Sequence, residues 1–399
     1  MSLSGKERNN NLEYFESIKN DILRSIERNA PIIGARNPMI GGGPDDFTWT
    51  YPEEYFWTDS FWTGELWLAY MITGQEQYKN MGRMRNAHLQ KILDTPLWLN
   101  HDLGFEFSLS AVADYKLTGC QEAKQLGIKA AEALRSRYNW NGKYILAWTA
   151  GSGNKAHAES IQGKIIIDCM QNLALLLWAY QETNIESFKE AAIGHADTTM
   201  EYIVRADYST YHTYDFDPAT NKPVGGKTHQ GYADESCWSR GQAWAIHGYA
   251  QLALMTGDSK YADLSEKLTA YMLTKITDDF VPVWDYLLPD DEIQYKDTSA
   301  GAVTSAGLYI LADVVDGYGE KEKAKNYREL ATKMLVALRE NYDLTRDESA
   351  QGLLSDSASS VPHAKLRDQE NLANAMLPYG DYYYFEAVLR ALGHNKLFW

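Results

Sequence analysis

Two kinds of apolar pattern alternate along the chain. Segments such as SFWTGELWLAYMI (60–72) and NLALLLWAY (172–180) are apolar nearly all round, the mark of a helix buried on every face. Amphipathic segments lie between them. Phe188, Ala192, His195, Thr199 and Tyr202 recur at spacings of 3 and 4, and so do Tyr261, Leu264, Leu268 and Tyr271. That is the stripe of a helix covered on one side only.

The joints repeat as well: ITGQEQY (72–78), LTGCQEA (117–123), ETNIESF (182–188) and MTGDSKY (255–261), with a looser VDGYGEKEKAKNY (315–327). Gly or Asn suits a left-handed helix end, and the polar residue after it suits an N-cap. Amphipathic outer helices are predicted near 12–28, 75–92, 121–137, 186–205, 259–276 and 320–341. Apolar inner helices are predicted near 60–72, 103–117, 169–181, 240–256, 299–314 and 381–391. Six of each predict an all-α fold, an (α/α)6 barrel of six inner and six outer helices. An open solenoid is the alternative, but it keeps one period, whereas these joints stand 45, 65 and 73 residues apart. No Pro/Gly/Ser-rich linker divides residues 1–399, so the chain reads as one barrel domain.

Long insertions precede several inner helices, at 41–59, 141–164 and 206–238, rich in Trp, Tyr, His, Asp and Gly. Their turn chemistry allows short β-hairpins. In a closed barrel the inner-helix entries converge on one end. Those entries carry Trp57, Asp59 and Trp62, then His101 and Asp102, then Asp168. Arg240, Gln242 and Trp244 follow, then Asp297, Thr298 and Ser299, and last Asp381 and Tyr382. Taken singly, an Asp before a helix is an N-cap, a Trp beside an apolar helix is core, and His101 is a structural histidine. Taken together, acids and aromatic faces converging at one end fit sugar recognition. Asp168 stands out in GKIIIDCMQNLALLLWAYQET (163–183), a lone acid among apolar residues, where a carboxylate is costly unless paired.

Charge narrows the partners. A formal net charge of −16 gives no attraction for nucleic acid or anionic membrane. No run approaches the roughly 18 apolar residues of a membrane span. The start, MSLSGKERNNNLEYF, lacks an apolar signal core, so a cytoplasmic protein is expected. Three unclustered cysteines, Cys120, Cys169 and Cys237, fit neither a disulfide framework nor a Cys-based zinc site. No cluster has metal-ligand spacing, and no GxGxxG, P-loop or GxSxG occurs in context. Neither metal nor cofactor is expected.

The chain resembles the unsaturated glucuronyl hydrolases, glycoside hydrolase family 88. The resemblance rests on FWTDSFWTGELWLAY (56–70), NHDLGFEFSLSA (100–111), GKIIIDCMQNLALLLWA (163–179), YHTYDFDP (211–218), GGKTHQGYADESCWSRGQAWAIHGYA (225–250), YKDTSAGAVTSAGL (295–308) and GDYYYFEAVLR (380–390). The resemblance implies an (α/α)6 barrel that needs no metal. It implies a substrate bearing the 4,5-unsaturated uronic acid that polysaccharide lyases leave at a non-reducing end. By the resemblance Asp168 is the general acid/base and Asp102 the second essential acid. Trp57 and Trp148 would stack on sugar. His101, His212 and Gln230 would bind near the reacting carbons and carboxylate, and Arg240 and Trp244 would line the sugar site. The resemblance implies that an acid protonates C4, water adds at C5, and the hemiketal opens to release the partner sugar. Apolar surroundings and Asp102 push the Asp168 pKa up, and the helix N-terminus opposes them.

Alternatives remain open at this level. WxRGQAWA-like runs also occur in unsaturated rhamnogalacturonyl hydrolases, although NHDLG argues for the glucuronyl branch. A conventional glycosidase with paired acids, a sugar epimerase or a non-catalytic glycan binder would share the scaffold. The stretch SDSASSVPHAKLRDQENLANAMLP (355–378) departs from the family pattern. Ser355, Ser357, Ser359, Ser360 and Lys365 there form either a sulfate site, as a serine and lysine cluster does in some relatives, or a bare loop. A monomer or weak homodimer is expected.

Overall fold

The computed structural model describes residues 5–149 and 160–399, with side chains from Leu12 onward. Part of the 141–164 insertion, 150–159, lies outside the described residues. Helix α1 (Gly5–Ile33) precedes a hairpin of β1 (Ile40–Gly43) and β2 (Asp46–Thr50). Helix α2 (Phe61–Thr73) leads to α3 (Glu76–Arg83) and α4 (Asn86–Asp94). One helical stretch then runs through α5 (Leu103–Phe107), a π-helical turn (Ser108–Val112) and α6 (Ala113–Thr118). Helix α7 (Gln121–Ser136) enters a hairpin of β3 (Tyr138–Asn139) and β4 (Tyr144–Ile145). Strand β5 (Lys164–Ile166) precedes α8 (Cys169–Thr183) and α9 (Glu186–Tyr202). It forms an antiparallel sheet, in order β5–β6–β7, with β6 (Thr213–Phe216) and β7 (Pro223–Lys227). The rest is helical: α10 (Ser239–Thr256), α11 (Ser259–Leu273), α12 (Thr298–Gly317), α13 (Lys321–Asn341), a short α14 (Val361–Arg367) and α15 (Pro378–Ala391).

The all-round apolar segments are the buried helices. In α15 every residue from Pro378 to Arg390 is buried, and α8 and α10 are buried over most of their length. Their packing runs in a closed cycle. Helix α2 packs on the π turn, α5 on α8, α8 on α10, α10 on α12, α12 on α15, and α15 back on α2. Helix α12 is long and apolar enough to cross a membrane, but it is one of these core helices, 94% buried over that span.

The repeated joints have a common device. Thr73, Thr118, Thr183 and Thr256 each donate their hydroxyl to the carbonyl four residues back, at 2.7–2.8 Å. Each accepts the amide two residues on, at 3.2–3.3 Å. Between them Gly74, Gly119, Asn184 and Gly257 take the left-handed conformation. The expected polar N-cap forms only at Asp258, which accepts the Lys260 amide at 3.1 Å. At the other three joints the threonine holds the turn. The outer helix expected at 75–92 is broken in two. Arg85 turns inward at the break and donates to the carbonyls of Gly34, Arg36 and Met81.

Candidate active site

Two close approaches build the site. The first sets α5 against α8. A Cβ on Gly104 would lie 2.2 Å from the Asn172 Cα, so only glycine fits there. Beside it the Phe105 amide donates to Asn172 Oδ1 at 2.6 Å. This contact lies two residues after Asp102 and four after Asp168, and it fixes the helix starts that carry both acids. The second is the register of β5 on β6, which pairs Ile166 with Thr213. One step further the Ile167 amide donates to the His212 carbonyl at 3.0 Å. Sheet pairing therefore sets the His212 ring beside Asp168.

Asp168 and Asp102 are both buried, 7% and 6% exposed. His212 Nε2 faces Asp168 Oδ2 at 3.6 Å. The other ring nitrogen, Nδ1, accepts the amides of His229 and Gln230 at 3.2 and 3.1 Å. An accepting nitrogen carries no proton, so the Nε2 proton points at Asp168. Trp238 stacks on the imidazole at 4.2 Å and 29°. His101 Nδ1 stands 3.4 Å from Asp102 Oδ1, and the Asp102 amide donates to Asn100 Oδ1 at 2.6 Å. Burial lowers His101 to about 3 against the pull of Asp168, so this ring is neutral.

The two carboxyls are driven apart. Burial and the negative charge of Asp168 hold Asp102 well above the usual carboxylate range. Burial would raise Asp168 too, but His212, with His101 and Arg240 behind it, overrides that and holds it below the usual range. The apolar surroundings of Asp168 therefore do not decide its charge. Of the pair, Asp102 keeps the proton.

Other candidates occupy different depths. Trp148 is half-buried, edge-on to His101 at 6.0 Å, and borders a cavity of about 440 Å³ with Asn100, Lys164, Thr213 and His229. Trp57 is half-buried and stacks on Tyr379 at 4.9 Å and 28°. Trp244 is fully buried, between Phe105 at 5.3 Å and Tyr383 at 5.5 Å. Arg240 is buried and its charge is committed. It pairs with Asp297 at 2.5 Å and donates to the carbonyls of Ala358 and Ser359, over the faces of Trp238 and Tyr379. Gln230 Nε2 donates to the same Ser359 carbonyl at 2.9 Å.

Several helix entries serve structure instead. Asp59 pairs with His88 at 2.7 Å. Gln242 binds the carbonyls of Tyr208 and Leu268, and Asp381 clamps the amides of Leu353 and Leu354. Each of the five residues considered for sulfate is engaged with partners of its own. Ser357 bonds Thr298 and the Ser299 amide, Ser355 bonds Asp356, Ser360 bonds His363, and Lys365 pairs with Glu292. Ser359 contributes its carbonyl to Arg240 and Gln230. His229 was not singled out, although it stands in the quoted THQG run. Its ring links Trp148, His212 and His363 at 5.5, 6.1 and 5.0 Å, and burial lowers it to about 4. Among the described residues, no group of three His, Cys, Asp or Glu side chains is arranged to hold a metal ion.

An all-helical core with an acid pair, imidazoles and stacked aromatic rings at the inner-helix starts fits the chemistry of a sugar-processing enzyme. Comparison with known proteins narrows it. No family model matches the chain. The chain is 34% identical to the unsaturated glucuronyl hydrolase of Bacillus sp. (strain GL1), over 93% of this chain and 94% of that protein. It is 33% identical to the unsaturated chondroitin disaccharide hydrolase of Streptococcus pneumoniae (strain ATCC BAA-255 / R6), over 95% and 92%. The crystal structure of the Bacillus sp. GL1 enzyme, described as responsible for the degradation of glycosaminoglycan, superposes with a TM-score of 0.86. It is 33% identical, covering 94% of this chain and 96% of that one. The chain belongs to the unsaturated glucuronyl hydrolase family.

Proposed function

We propose that this chain is a single-domain (α/α)6-barrel hydrolase of lyase-generated, glycosaminoglycan-type oligosaccharides. It releases the 4,5-unsaturated uronic acid from their non-reducing end. The closed cycle of inner-helix contacts supports the barrel. The names of the relatives support the substrate class. The reading includes a monomer or weak homodimer acting in the cytoplasm. One observation carries the chemistry: Asp168 and Asp102 share a buried site that pushes the two carboxyls in opposite directions, Asp168 below and Asp102 above the usual carboxylate range.

Such a pair holds one proton between two acids. An anionic uronate entering beside Asp168 raises that group, because like charge disfavours ionisation. The pair's proton then passes to Asp168. Asp168 gives it to C4, and the C4=C5 electron pair becomes the new C–H bond. Positive charge at C5 is shared by the ring oxygen. Water attacks C5 and loses a proton to the Asp168 carboxylate, which restores the acid. The resulting hemiketal opens and the partner sugar leaves. His212 keeps the Asp168 carboxyl oriented through its Nε2 proton, and Asp102 holds ring hydroxyls. Trp57 and Trp148 supply faces for the sugar, with His101 and Gln230 nearby. Trp244 and Arg240 act from behind, Trp244 by packing and Arg240 by clasping the 358–359 backbone.

The test is direct. Purified protein is given unsaturated disaccharides made by several polysaccharide lyases, and the alkene ultraviolet absorbance is followed. Steady decay on at least one of them is expected. No decay on any of them overturns the reading.

A further inference from the structure

The aromatic residues of the site do not end at its floor. A column of rings runs inward from Trp57 and Tyr379 through Trp244 and Phe105 to Tyr383 and Trp399, each ring 4.9–6.4 Å from the next. Trp399 lies far in sequence from every other helix it touches except α15, yet it is 7% exposed. It stacks on Tyr383 at 5.8 Å with the planes 5° apart, and meets Phe105 edge-on at 6.1 Å and 84°. Its Nε1 donates to Glu386 Oε2 at 2.7 Å, and Arg390 holds the other oxygen of that carboxylate. Lys116 donates to the Phe398 carbonyl at 2.8 Å and pins the segment from α6. A cavity of about 470 Å³ is lined by Lys116, Gln251, Arg390 and Lys396 together with Leu397, Phe398 and Trp399.

Four rings surround the indole, Phe105, Tyr382, Tyr383 and His247, and two of them, Phe105 and Tyr383, lead to the acids. Phe105 lies three residues after Asp102, and its amide is tied to Asn172 of α8. Tyr383 donates its hydroxyl to Gln171 Oε1 at 2.9 Å, and Gln171 Nε2 donates to the Trp244 carbonyl at 2.9 Å. Gln171 lies one helical turn after Asp168. We infer that Trp399 is a positioning residue: wedged between Phe105 and Tyr383, its indole sets the spacing of the helix starts that carry Asp102 and Asp168. The inference rests on the roles given above to those two acids. The indole touches neither acid, so it acts through packed neighbours that transmit small displacements.

The full chain carrying Trp399→Ala tests this, with an unsaturated disaccharide turned over by the wild type. A misplacement near 1 Å costs up to about 10²-fold in rate, so kcat should fall at least ~10-fold while KM stays within ~3-fold. The vacated site is walled by rings and leaves Glu386 Oε2 to accept an indole N–H, and cavities left by removed side chains bind small aromatics. Millimolar free indole should therefore restore much of the lost kcat. Trp399→Phe keeps a ring but loses the Glu386 bond, and kcat should fall by a smaller factor. Wild-type kcat in Trp399→Ala overturns the inference, as does a loss confined to KM or one that indole leaves untouched. If the alanine variant does not fold, wild-type kcat in Trp399→Phe overturns it. A wild type inactive on every lyase product counts against the activity itself, and this inference falls with it.

Discussion

The backbone of Asn172 passes so close to Gly104 that a Cβ there would lie 2.2 Å from the Asn172 Cα. This contact joins the two helices whose first residues follow Asp102 and Asp168. Gly104→Ala must push them apart, and overpacking of this kind costs about 1–3 kcal/mol. Its melting temperature should fall, and kcat should fall by more than the lost stability explains, because both acids move. Thermal melts and initial rates on the same preparation check this. A variant with normal kcat would show that the crossing does not set the acid pair.

His212 Nε2 faces Asp168 Oδ2 at 3.6 Å while Nδ1 accepts two amides. His212→Phe removes the group that lowers Asp168 most against burial. The Asp168 pKa then rises. For a pair active with one proton, kcat/KM against pH is bell-shaped, its acid limb set by the lower macroscopic pKa. That limb should move to higher pH in the variant, with the maximum rate lower by ~10–100-fold. An acid limb at its wild-type position would remove His212 from this role.

The acids also oppose each other in stability. Asp168 has its folded pKa below the unfolded value, so its contribution is present above about 4 and is lost as pH falls through the folded pKa. Asp102 has its folded pKa above the unfolded value. Its folded form keeps a proton the unfolded chain gives up, so stability falls as pH rises from about 4 toward that raised value. Asp102→Asn keeps the shape without the ionisation. Its melting temperature should match wild type near pH 4 and exceed it increasingly at higher pH, while turnover drops. Calorimetry across pH 4–8 decides, and a gap that does not widen with pH contradicts the assignment of the proton.

Helix type and order were legible because an inner helix is apolar on every face and an outer one on a single stripe. Segments 60–72 and 172–180 fall on α2 and α8 accordingly. Joints were legible through Gly and Asn, but the Thr73-type hydroxyl bridge was not, since one threonine looks like any polar residue. Asp168 and Asp102 were visible as acids entering buried helices. Their charge states were not: against burial, Asp168 is held low by His212, 44 residues further along and brought in by sheet register, while burial and the charge of Asp168 hold Asp102 high. Arg240 read as a residue lining the sugar site, and its engagement by Asp297 and the 358–359 carbonyls appears only in three dimensions. His229 was hidden beside Gln230, since nothing in the sequence shows that its ring meets those of Trp148, His212 and His363.

Delivery of one proton to C4 is best tested in heavy water. With the wild type, proton NMR of the released uronic acid should show a single deuterium at C4, and Asp168→Asn should still bind substrate yet release almost nothing. A product without deuterium at C4, or near-wild-type release by Asp168→Asn, would contradict the account.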